Sequence, residues 1–248
     1  MSNLRIIIIG ASSSIAEHCA RLWVQQPVDL YLVGRDLIHL EQIACDLRVR
    51  SPQAVIHSQQ ANFLDPFSIQ ATVDELMSQK TVDIILIAHG YLPEQKQCET
   101  NLVECQQALT VNALSPVLFA EAFAQHLAKQ DHGCLALIGS VAGDRGRKSN
   151  YVYGAAKGLV ARYAQGLQHR FAKTAVKITL IKPGPTDTPM TAQLKQLGMK
   201  LAPVELVAQQ IVQGIAQGNS TVYTPRKWRL IMGVIQHLPL FIFKRLNI

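Results

Sequence analysis

The sequence Leu4-Arg-Ile-Ile-Ile-Ile-Gly10-Ala-Ser-Ser-Ser-Ile-Ala16 joins an apolar run directly to a turn rich in small residues. The apolar run predicts a buried strand over 4–9, and the residues after Gly10 predict a helix that continues to about Gln25. A strand, a glycine-containing turn and a helix N-terminus form the arrangement that binds a dinucleotide pyrophosphate through backbone N–H groups and the helix dipole. We therefore expect a dinucleotide phosphate site at Gly10, Ser12, Ser13, Ser14 and Ile15.

The rest of the chain alternates apolar runs with helical patterns. Further strands are expected at about 28–33, 54–58, 82–88, 134–140, 176–181 and 221–224, and helices at about 101–128, 151–172 and 205–217. Asp36 and Asp65 each precede a helical pattern and are expected to cap it. Seven strands alternate with helices, and no repeat or linker interrupts them. The sequence therefore predicts one α/β domain over 1–248, a doubly wound Rossmann fold whose seven-stranded, mostly parallel sheet has helices on both faces.

Composition limits the class of protein. With 248 residues, of which 48% are hydrophobic, the chain is expected to form one globular domain. Its five cysteines include no Cys-x-x-Cys and its eight histidines no His-Glu-x-x-His, so no metal site is predicted. Free thiols indicate a reducing compartment. The N-terminal apolar run is too short, and follows a charge too early, for a signal peptide. A cytoplasmic location is therefore expected.

The two halves of the chain carry opposite charge. Residues 1–144 have a net charge of −7, whereas residues 145–248 have +14. This asymmetry predicts an anionic partner for the C-terminal half, with nucleic acid, an anionic membrane surface and a phosphorylated substrate as the choices. The alternative is that charge is segregated around a homo-oligomer.

Tyr153-Gly-Ala-Ala-Lys157 places a phenol and an ammonium four residues apart in a helical pattern, so both face one spot. A cation within ~4–6 Å favours the phenolate, so Lys157 is expected to lower the pKa of Tyr153 and make the pair a proton-transfer device. Ser140, at the end of a predicted buried strand, can reach the same spot across a loop. These three residues predict an acid-base site.

Together with Asn112, these residues resemble the Asn, Ser, Tyr, Lys tetrad of the short-chain dehydrogenase/reductase family, and the resemblance covers nearly the whole chain. It implies an oxidoreductase that interconverts a ketone and a secondary alcohol with a nicotinamide cofactor. By resemblance, Ser140 hydrogen-bonds the carbonyl oxygen and Tyr153 delivers its proton as the hydride arrives. Lys157 holds the ribose, and Asn112 relays protons through water to Lys157. A homodimer or homotetramer is also implied.

The phosphate turn resembles the family's Thr-Gly-x-x-x-Gly-x-Gly, but Ile9 replaces the threonine, and Ser14 and Ala16 replace the later glycines. Serine and alanine are small, so the backbone can still approach phosphates. His89 follows a predicted strand, in a segment that matches the family's Asn-Ala-Gly only in its glycine. We interpret it as a packing or cofactor contact, not a proton-transfer residue. By resemblance, Asn62 holds the adenine, and the other cofactor contacts are Phe63, Ala88, Gly90, Pro183, Gly184, Thr186 and Thr188.

Gly34-Arg35-Asp36 follows the second predicted strand, where an acid accepts a hydrogen bond from a ribose 2′-OH and an arginine pairs with a 2′-phosphate. Glycine stands where the acid is expected and Arg35 follows it, so NADP(H) is the preferred cofactor. NAD(H) is the alternative if Asp36 reaches the ribose instead of capping the next helix. Residues 189–203 correspond to a substrate lid in relatives.

The loop Asp144-Arg-Gly-Arg-Lys148 lies between Ser140 and Tyr153 and should border the substrate. The ending 225–248 has no acidic residue and no ~18-residue apolar run that could span a membrane. Its two short amphipathic pieces predict either an interfacial anchor at the inner face of the membrane or packing on a neighbouring subunit.

A closer resemblance, to the branch that contains the decaprenylphosphoryl-2-keto-ribose reductases, implies a lipid-linked or phosphate-bearing keto-sugar as substrate. It rests on the serine-rich turn, the Asp144-Arg-Gly-Arg loop and the ending rich in Trp, Arg and Phe. The alternatives are a small soluble ketone or a 3-oxoacyl thioester. A function of another class, a cofactor-binding regulator without chemistry, is disfavoured by the intact Ser140, Tyr153 and Lys157. No nucleic acid partner is expected.

Overall fold

One parallel sheet organises the chain. The computed structural model describes residues 3–246. Its strands are β1 Leu4–Ile9, β2 Val28–Gly34, β3 Val55–Gln60, β4 Ile84–Ile87, β5 Cys134–Ile138, β6 Lys177–Pro183 and β7 Thr221–Thr224. They pair in the order β3-β2-β1-β4-β5-β6-β7, and all the pairings are parallel. The predicted seven-stranded doubly wound fold is confirmed.

Helices cover both faces of the sheet. In the described part of the chain they are α1 Ser14–Trp23, α2 Leu37–Arg50, α3 Pro66–Ser78, α4 Gln95–Thr100, α5 Leu102–Leu109, α6 Ser115–Gln130, α7 Tyr151–Arg170, α8 Ala192–Gln196, α9 Val204–Ala216, α10 Trp228–His237 and α11 Leu240–Phe243. Side chains alternate across a strand, so Ile7 and Ile9 enter the core under α3, α6 and α7. Ile6 and Ile8 enter the core under α1, α2 and α9. A strand buried on both faces has to be apolar at every position, which explains the unbroken isoleucine run.

The helix caps follow the sequence pattern. Asp36 accepts a hydrogen bond from the His39 N–H at 3.1 Å, and Asp65 accepts one from the Ser68 N–H at 3.0 Å. The helix expected at 101–128 is interrupted, because Thr110–Leu114 form one π-helical turn between α5 and α6. Such insertions are frequent at functional sites, and this one contains Asn112.

The sheet order reverses beside β1, since β2 lies on one side of it and β4 on the other. Ligands in open α/β sheets bind at such a switch point, outside the carboxyl ends of the strands. Gly10, Arg35, His89, Ser140 and Gly184 each lie within two residues of a strand's carboxyl end. One edge of the sheet therefore gathers residues that are far apart in sequence.

Residues 3–246 contain neither a membrane-spanning helix nor a cluster of metal-binding side chains. No helix there is long and apolar enough to cross a membrane. Within the same residues, no group of three or more His, Cys, Asp or Glu side chains is arranged to hold a metal ion.

Candidate active site

The turn between β1 and α1 forms the floor of a cleft. Gly10 has φ +81°, and a Cβ added there would lie 2.6 Å from the backbone nitrogen of His89, so only glycine fits between the ends of β1 and β4. Ser13 is the N-cap residue of α1 but makes no side-chain hydrogen bond to the first turn. The N–H groups of that turn therefore remain available to an anion. Ser12, Ser13, Ser14 and Ile15 line the cleft, whose volume is about 390 Å³.

The far end of this cleft is lined by Arg35 and Phe63. Arg35 is exposed and forms no ion pair with a carboxylate among residues 3–246. Asp36 is engaged in capping α2. Asn62 is not among the residues that line the cleft, and its side-chain carbonyl accepts the Leu64 N–H at 3.0 Å. The expected adenine contact of Asn62 therefore has no support in this structure, and Phe63 and Leu64 form the wall instead.

His89 lies between this cleft and a second cavity. Its Nε2 is 2.8 Å from the Ser115 hydroxyl, and its ring packs edge-on against Phe63 and Phe119. Burial, with smaller contributions from the positive charges of Lys157 and Arg35, lowers the pKa of His89 to about 3. The ring is therefore neutral at physiological pH, in agreement with the interpretation of His89 as a packing or cofactor contact.

The second cavity, of about 150 Å³, is lined by Ser140, Tyr153 and Lys157. Ser140 follows β5 and caps the 3₁₀ turn Val141–Asp144, accepting the Ala142 N–H at 3.0 Å. This turn packs directly on α7, since a Cβ at Gly143 would lie 2.6 Å from the Lys157 carbonyl carbon. The close approach holds Ser140 beside the helix face that carries Tyr153, as the sequence predicts.

The pKa values at this site differ from expectation. Burial raises the pKa of Tyr153 to about 12, and a hydrogen bond with Ser140 opposes this rise. Burial also lowers the pKa of Lys157 to about 8. The Lys157 Nζ donates to the Ile138 carbonyl at 3.0 Å and lies 5.8 Å from the Tyr153 ring centroid. The expected lowering of the Tyr153 pKa by Lys157 is not seen, because burial dominates the shift and the hydrogen bond with Ser140, not the ammonium, opposes it.

Asn112 is completely buried behind this cavity and does not line it. Its Oδ1 accepts the Tyr91 N–H at 2.9 Å, and its Nδ2 donates to the Ala108 carbonyl at 3.0 Å. A Cβ at Gly90 would lie 2.7 Å from that Oδ1 and 3.5 Å from the Lys157 Nζ. Asn112 therefore fixes the backbone at 90–91, beside Lys157.

The carboxyl end of β6 closes the cavity. Pro183, Gly184, Thr186 and Thr188 all line it, as does Ala88 at the end of β4. A Cβ at Gly184 would overlap the indole of Trp228, so the C-terminal segment packs on this motif. Several lining residues were not predicted: Leu64, Tyr91, Gln107, Val111, Pro189 and Met190 in the cleft, and Leu92, Asn150, Thr191 and Leu194 in the cavity. Of these residues, only Pro189, Met190, Thr191 and Leu194 could have been expected near the site from the sequence, because they lie in the segment 189–203 that was expected to form a lid.

The loop after the 3₁₀ turn contributes differently from expectation. Arg147 lines the cavity, whereas Arg145 and Lys148 do not. The Arg145 Nη1 donates to the carbonyls of Ile235 and Leu238 at 2.5 and 2.7 Å. Its guanidinium also stacks 4.0 Å over the Phe243 ring. Arg145 therefore caps the C-terminus of α10 and is not a substrate contact.

The C-terminal segment packs on its own chain. Met232 of α10 is fully buried, and its Sδ lies 3.4 Å from the Arg147 Nη2. Neither of the two expected alternatives, membrane or neighbouring subunit, included this packing. The opposite face of α10 is exposed at Leu230 and Val234.

The residues present fit a nicotinamide dinucleotide. The Gly10 turn and the uncapped start of α1 can take a pyrophosphate, and the unpaired Arg35 can take a further phosphate. The cleft and the cavity share Ser13, Ile15, His89, Gly90, Thr188 and Met190, so one extended ligand can occupy both. Its far end would meet Ser140, Tyr153 and Lys157.

The chain is similar in sequence to known proteins. A family model described as short chain dehydrogenase matches residues 5–197. An uncharacterised oxidoreductase of Streptomyces coelicolor is 28% identical over 242 residues, which cover 97% of this chain and 95% of the relative. An uncharacterised oxidoreductase of Staphylococcus aureus MRSA252 is 29% identical over 218 residues, with 85% and 90% covered.

Two solved structures share the fold. A short-chain dehydrogenase from Sphingobium yanoikuyae in complex with NADPH has a TM-score of 0.82 at 21% identity, covering 98% of this chain and 96% of that one. A short chain dehydrogenase from Burkholderia cenocepacia J2315 in complex with NADP has a TM-score of 0.82 at 14% identity, covering 100% and 98%. Since the family model also spans most of the chain, this protein belongs to the short-chain dehydrogenase/reductase family and is an NAD(P)-dependent oxidoreductase.

Proposed function

We propose that the protein interconverts a ketone and a secondary alcohol with NADP(H), and that Asn112, Ser140, Tyr153 and Lys157 carry the reaction. The observation behind this proposal is the cavity in which Ser140, Tyr153 and Lys157 meet at the end of the dinucleotide cleft. The turn at Gly10 and the start of α1 hold the cofactor's phosphates, and Lys157 holds its ribose. The bound cofactor supplies or accepts the hydride.

Each residue of the site has a distinct task. Tyr153, with a pKa of about 12, is protonated at neutral pH and donates its phenolic proton to the carbonyl oxygen. Ser140 donates a hydrogen bond to the same oxygen and orients it. Lys157 stabilises the phenolate that remains. Asn112 holds the backbone at 90–91 next to Lys157. In this proposal it also relays protons through water to Lys157.

Replacing Tyr153 with Phe tests the proposal. The phenyl ring keeps the packing but cannot give a proton, so kcat for ketone reduction should fall by roughly 10²-fold or more. NADPH affinity should change little. Reduction at the wild-type rate by Tyr153→Phe would refute the assignment.

Arg35 supports NADP(H) as the preferred cofactor, since it lines the cleft without a carboxylate partner in the described part of the chain. The structural relatives from Sphingobium and Burkholderia were solved with NADPH and NADP. Arg35→Ala should therefore weaken NADPH binding about 10- to 100-fold, the range of a charge-assisted contact, and leave NADH binding unchanged. Calorimetry with both cofactors measures this, and equal affinities in the wild type would count against the preference for NADP(H).

A lipid-linked substrate is supported by the position of the C-terminal segment. The face of α10 that carries Met232 contacts Arg147 in the cavity wall, while its other face and α11 expose the apolar side chains of Leu230, Val234, Leu240, Phe241 and Ile242. Exposed cations flank them in sequence, at Arg226, Lys227, Arg229, Lys244 and Arg245. An apolar surface with a basic rim fits the anionic inner face of a membrane, next to the cavity. A small soluble ketone or a 3-oxoacyl thioester remains the alternative substrate.

A homodimer or homotetramer also belongs to the proposal. Exposed apolar side chains occur along α5, the π turn, α6 and α7, at Leu102, Val103, Leu109, Leu114, Leu118 and Leu159. Exposed apolar groups of this kind mark interaction sites when they are contiguous. Light scattering of the purified chain gives the stoichiometry, and a monomeric mass at all concentrations would exclude an oligomer.

A further inference from the structure

Arg147 is a partly buried cation in the wall of the catalytic cavity, and it has no carboxylate partner among the residues that the structure describes. It lines the same cavity as Ser140 and Tyr153. Its Nε is buried and has no hydrogen-bond partner among residues 3–246. Its Nη2 contacts the Met232 thioether at 3.4 Å, and a thioether is a weak acceptor. The guanidinium therefore keeps most of its donors free.

The nearby carboxylate that could neutralise Arg147 is already used. One oxygen of Asp144 accepts from the Lys182 Nζ at 2.5 Å, and the other accepts from the Tyr223 hydroxyl at 2.8 Å. Burial lowers the pKa of Arg147, and the charge of Asp144 opposes that shift from a distance. A desolvated cation costs free energy unless it is paired, so the missing partner of Arg147 points to a ligand.

A second unpartnered group lies beside it. The Asn150 N–H donates to the Arg147 carbonyl at 3.2 Å, and the turn so formed brings both side chains to the cavity. The Asn150 Oδ1 is buried and has no partner within the described residues. Arg147 offers donors with a positive charge, and Asn150 offers an acceptor. A ligand with an oxyanion and a neighbouring hydroxyl satisfies both.

We propose that Arg147, assisted by Asn150, forms a subsite for an oxyanion, a phosphate or a carboxylate, on the substrate that is reduced at Tyr153. The inference rests on the reductase function proposed above and narrows its substrates to anionic ketones and alcohols. Arg145 and Lys148 take no part, because one caps α10 and the other is exposed outside the cavity. Arg147 is thus a specificity-determining residue, and bidentate geometry makes arginine better suited than lysine.

The first test is equilibrium binding, which needs no turnover. Calorimetry measures methyl phosphate and acetate binding to the NADPH-loaded wild type and to Arg147→Gln, Arg147→Lys and the matched control Lys148→Gln. We expect saturable binding of at least one anion that weakens about 10- to 100-fold in Arg147→Gln. Binding should be partly kept in Arg147→Lys and unchanged in Lys148→Gln. Undiminished binding to Arg147→Gln, or no binding of either anion to the wild type, overturns the inference.

A second measurement uses the wild type alone and does not depend on variant folding. Phenylglyoxal modification of Arg147, followed by peptide mass spectrometry, should slow when methyl phosphate is present. An unchanged rate contradicts the subsite. The same experiment with geranyl phosphate distinguishes a lipid-linked from a soluble substrate. If geranyl phosphate protects Arg147 from phenylglyoxal more strongly than methyl phosphate does, the anion belongs to a lipid-linked substrate, and equal protection assigns it to a soluble ester. Either result supports the subsite.

Kinetics separates the inference from the proposed function. Dihydroxyacetone phosphate and dihydroxyacetone are matched ketones that differ in the anion. For the phosphorylated ketone, Arg147→Gln should raise KM more than it lowers kcat, and the loss of kcat/KM should be several-fold larger than the loss with the neutral ketone. Anion binding through Arg147 without reduction of any ketone supports the subsite and contradicts the reductase. Equal losses with both ketones contradict the subsite alone.

Discussion

Tyr153 and Lys157 show how burial sets the chemistry of single residues. Both side chains lose hydration in the cavity, which favours the neutral form of each. The pKa of the Tyr153 phenol therefore rises to about 12, and the pKa of the Lys157 ammonium falls to about 8. The site therefore keeps its acid protonated at neutral pH, but it holds its cation at a free-energy cost. A ligand that hydrogen-bonds the ammonium would recover part of that cost.

Lys157→Met should consequently stabilise the ligand-free chain while abolishing reduction. The pKa of Lys157 in the folded chain, about 8, lies below its ordinary value of 10.5. The unfolded chain therefore binds more protons between these values, and wild-type stability rises with pH across that window. Below pH 8 the full cost is present, on the order of 3 kcal/mol at most. Denaturant unfolding at pH 7 and at pH 10 should show the variant's advantage shrinking as pH rises. An advantage that is absent at pH 7, or that grows with pH, would contradict this account.

The 3₁₀ turn Val141–Asp144 and α10 act together at the scale of elements. The turn fixes Ser140 against α7, and the two arginines that follow it face opposite directions: Arg145 caps α10, whereas Arg147 faces the cavity. Asp144 joins the turn to β6 and β7 through Lys182 and Tyr223. The loop thus couples the C-terminal segment to the substrate wall.

Arg145→Ala should loosen α10 without unfolding the sheet. It removes hydrogen bonds to the carbonyls at the end of α10 and the stacking on Phe243, a loss of about 1–3 kcal/mol to that helix. Trypsin should then cleave after Arg226, Lys227 or Arg229 several-fold faster than in the wild type. Lys148→Ala is the matched control, because Lys148 is exposed and close in sequence. Equal cleavage rates in all three proteins would show that Arg145 does not hold the helix.

Charge distribution is a property of the whole molecule. The net charge of +14 over residues 145–248 includes the cations around the exposed apolar side chains of α10 and α11. Near an anionic bilayer each cation contributes about 1 kcal/mol, which adds to the burial of apolar side chains. The same segment borders the cavity through Met232 and Trp228. Membrane contact would therefore bring a lipid-linked substrate to Tyr153.

The intact chain should sediment with vesicles that contain about 30% anionic lipid at low salt and be released at high salt. Phe241→Glu, on the exposed face of α11, should reduce the bound fraction several-fold. Phe67→Glu on α3 is the matched control, because both phenylalanines are exposed, by 68% and 86%. If the wild type stays in the supernatant, or if Phe67→Glu reduces the bound fraction as much as Phe241→Glu does, the membrane contact is contradicted. The exposed apolar side chains of α10 and α11 would then be assigned to contact between copies of the chain.

The sequence by itself determined the order of the seven strands, the turn at Gly10 and the meeting of Ser140, Tyr153 and Lys157. These features depend on local periodicity and on the rule that the carboxyl ends of parallel strands share one edge. It also allowed the family to be recognised, and the comparisons confirmed it.

Only the tertiary structure decided which partner each polar residue contacts when two such residues are close in sequence. Arg145 and Arg147 are two residues apart, yet one binds α10 and the other faces the cavity. The C-terminal segment packs on its own chain, with Trp228 against Gly184. The opposite shifts of the Tyr153 and Lys157 pKa values belong here too. Each depends on desolvation and on contacts across up to 93 residues of sequence, which no local pattern encodes.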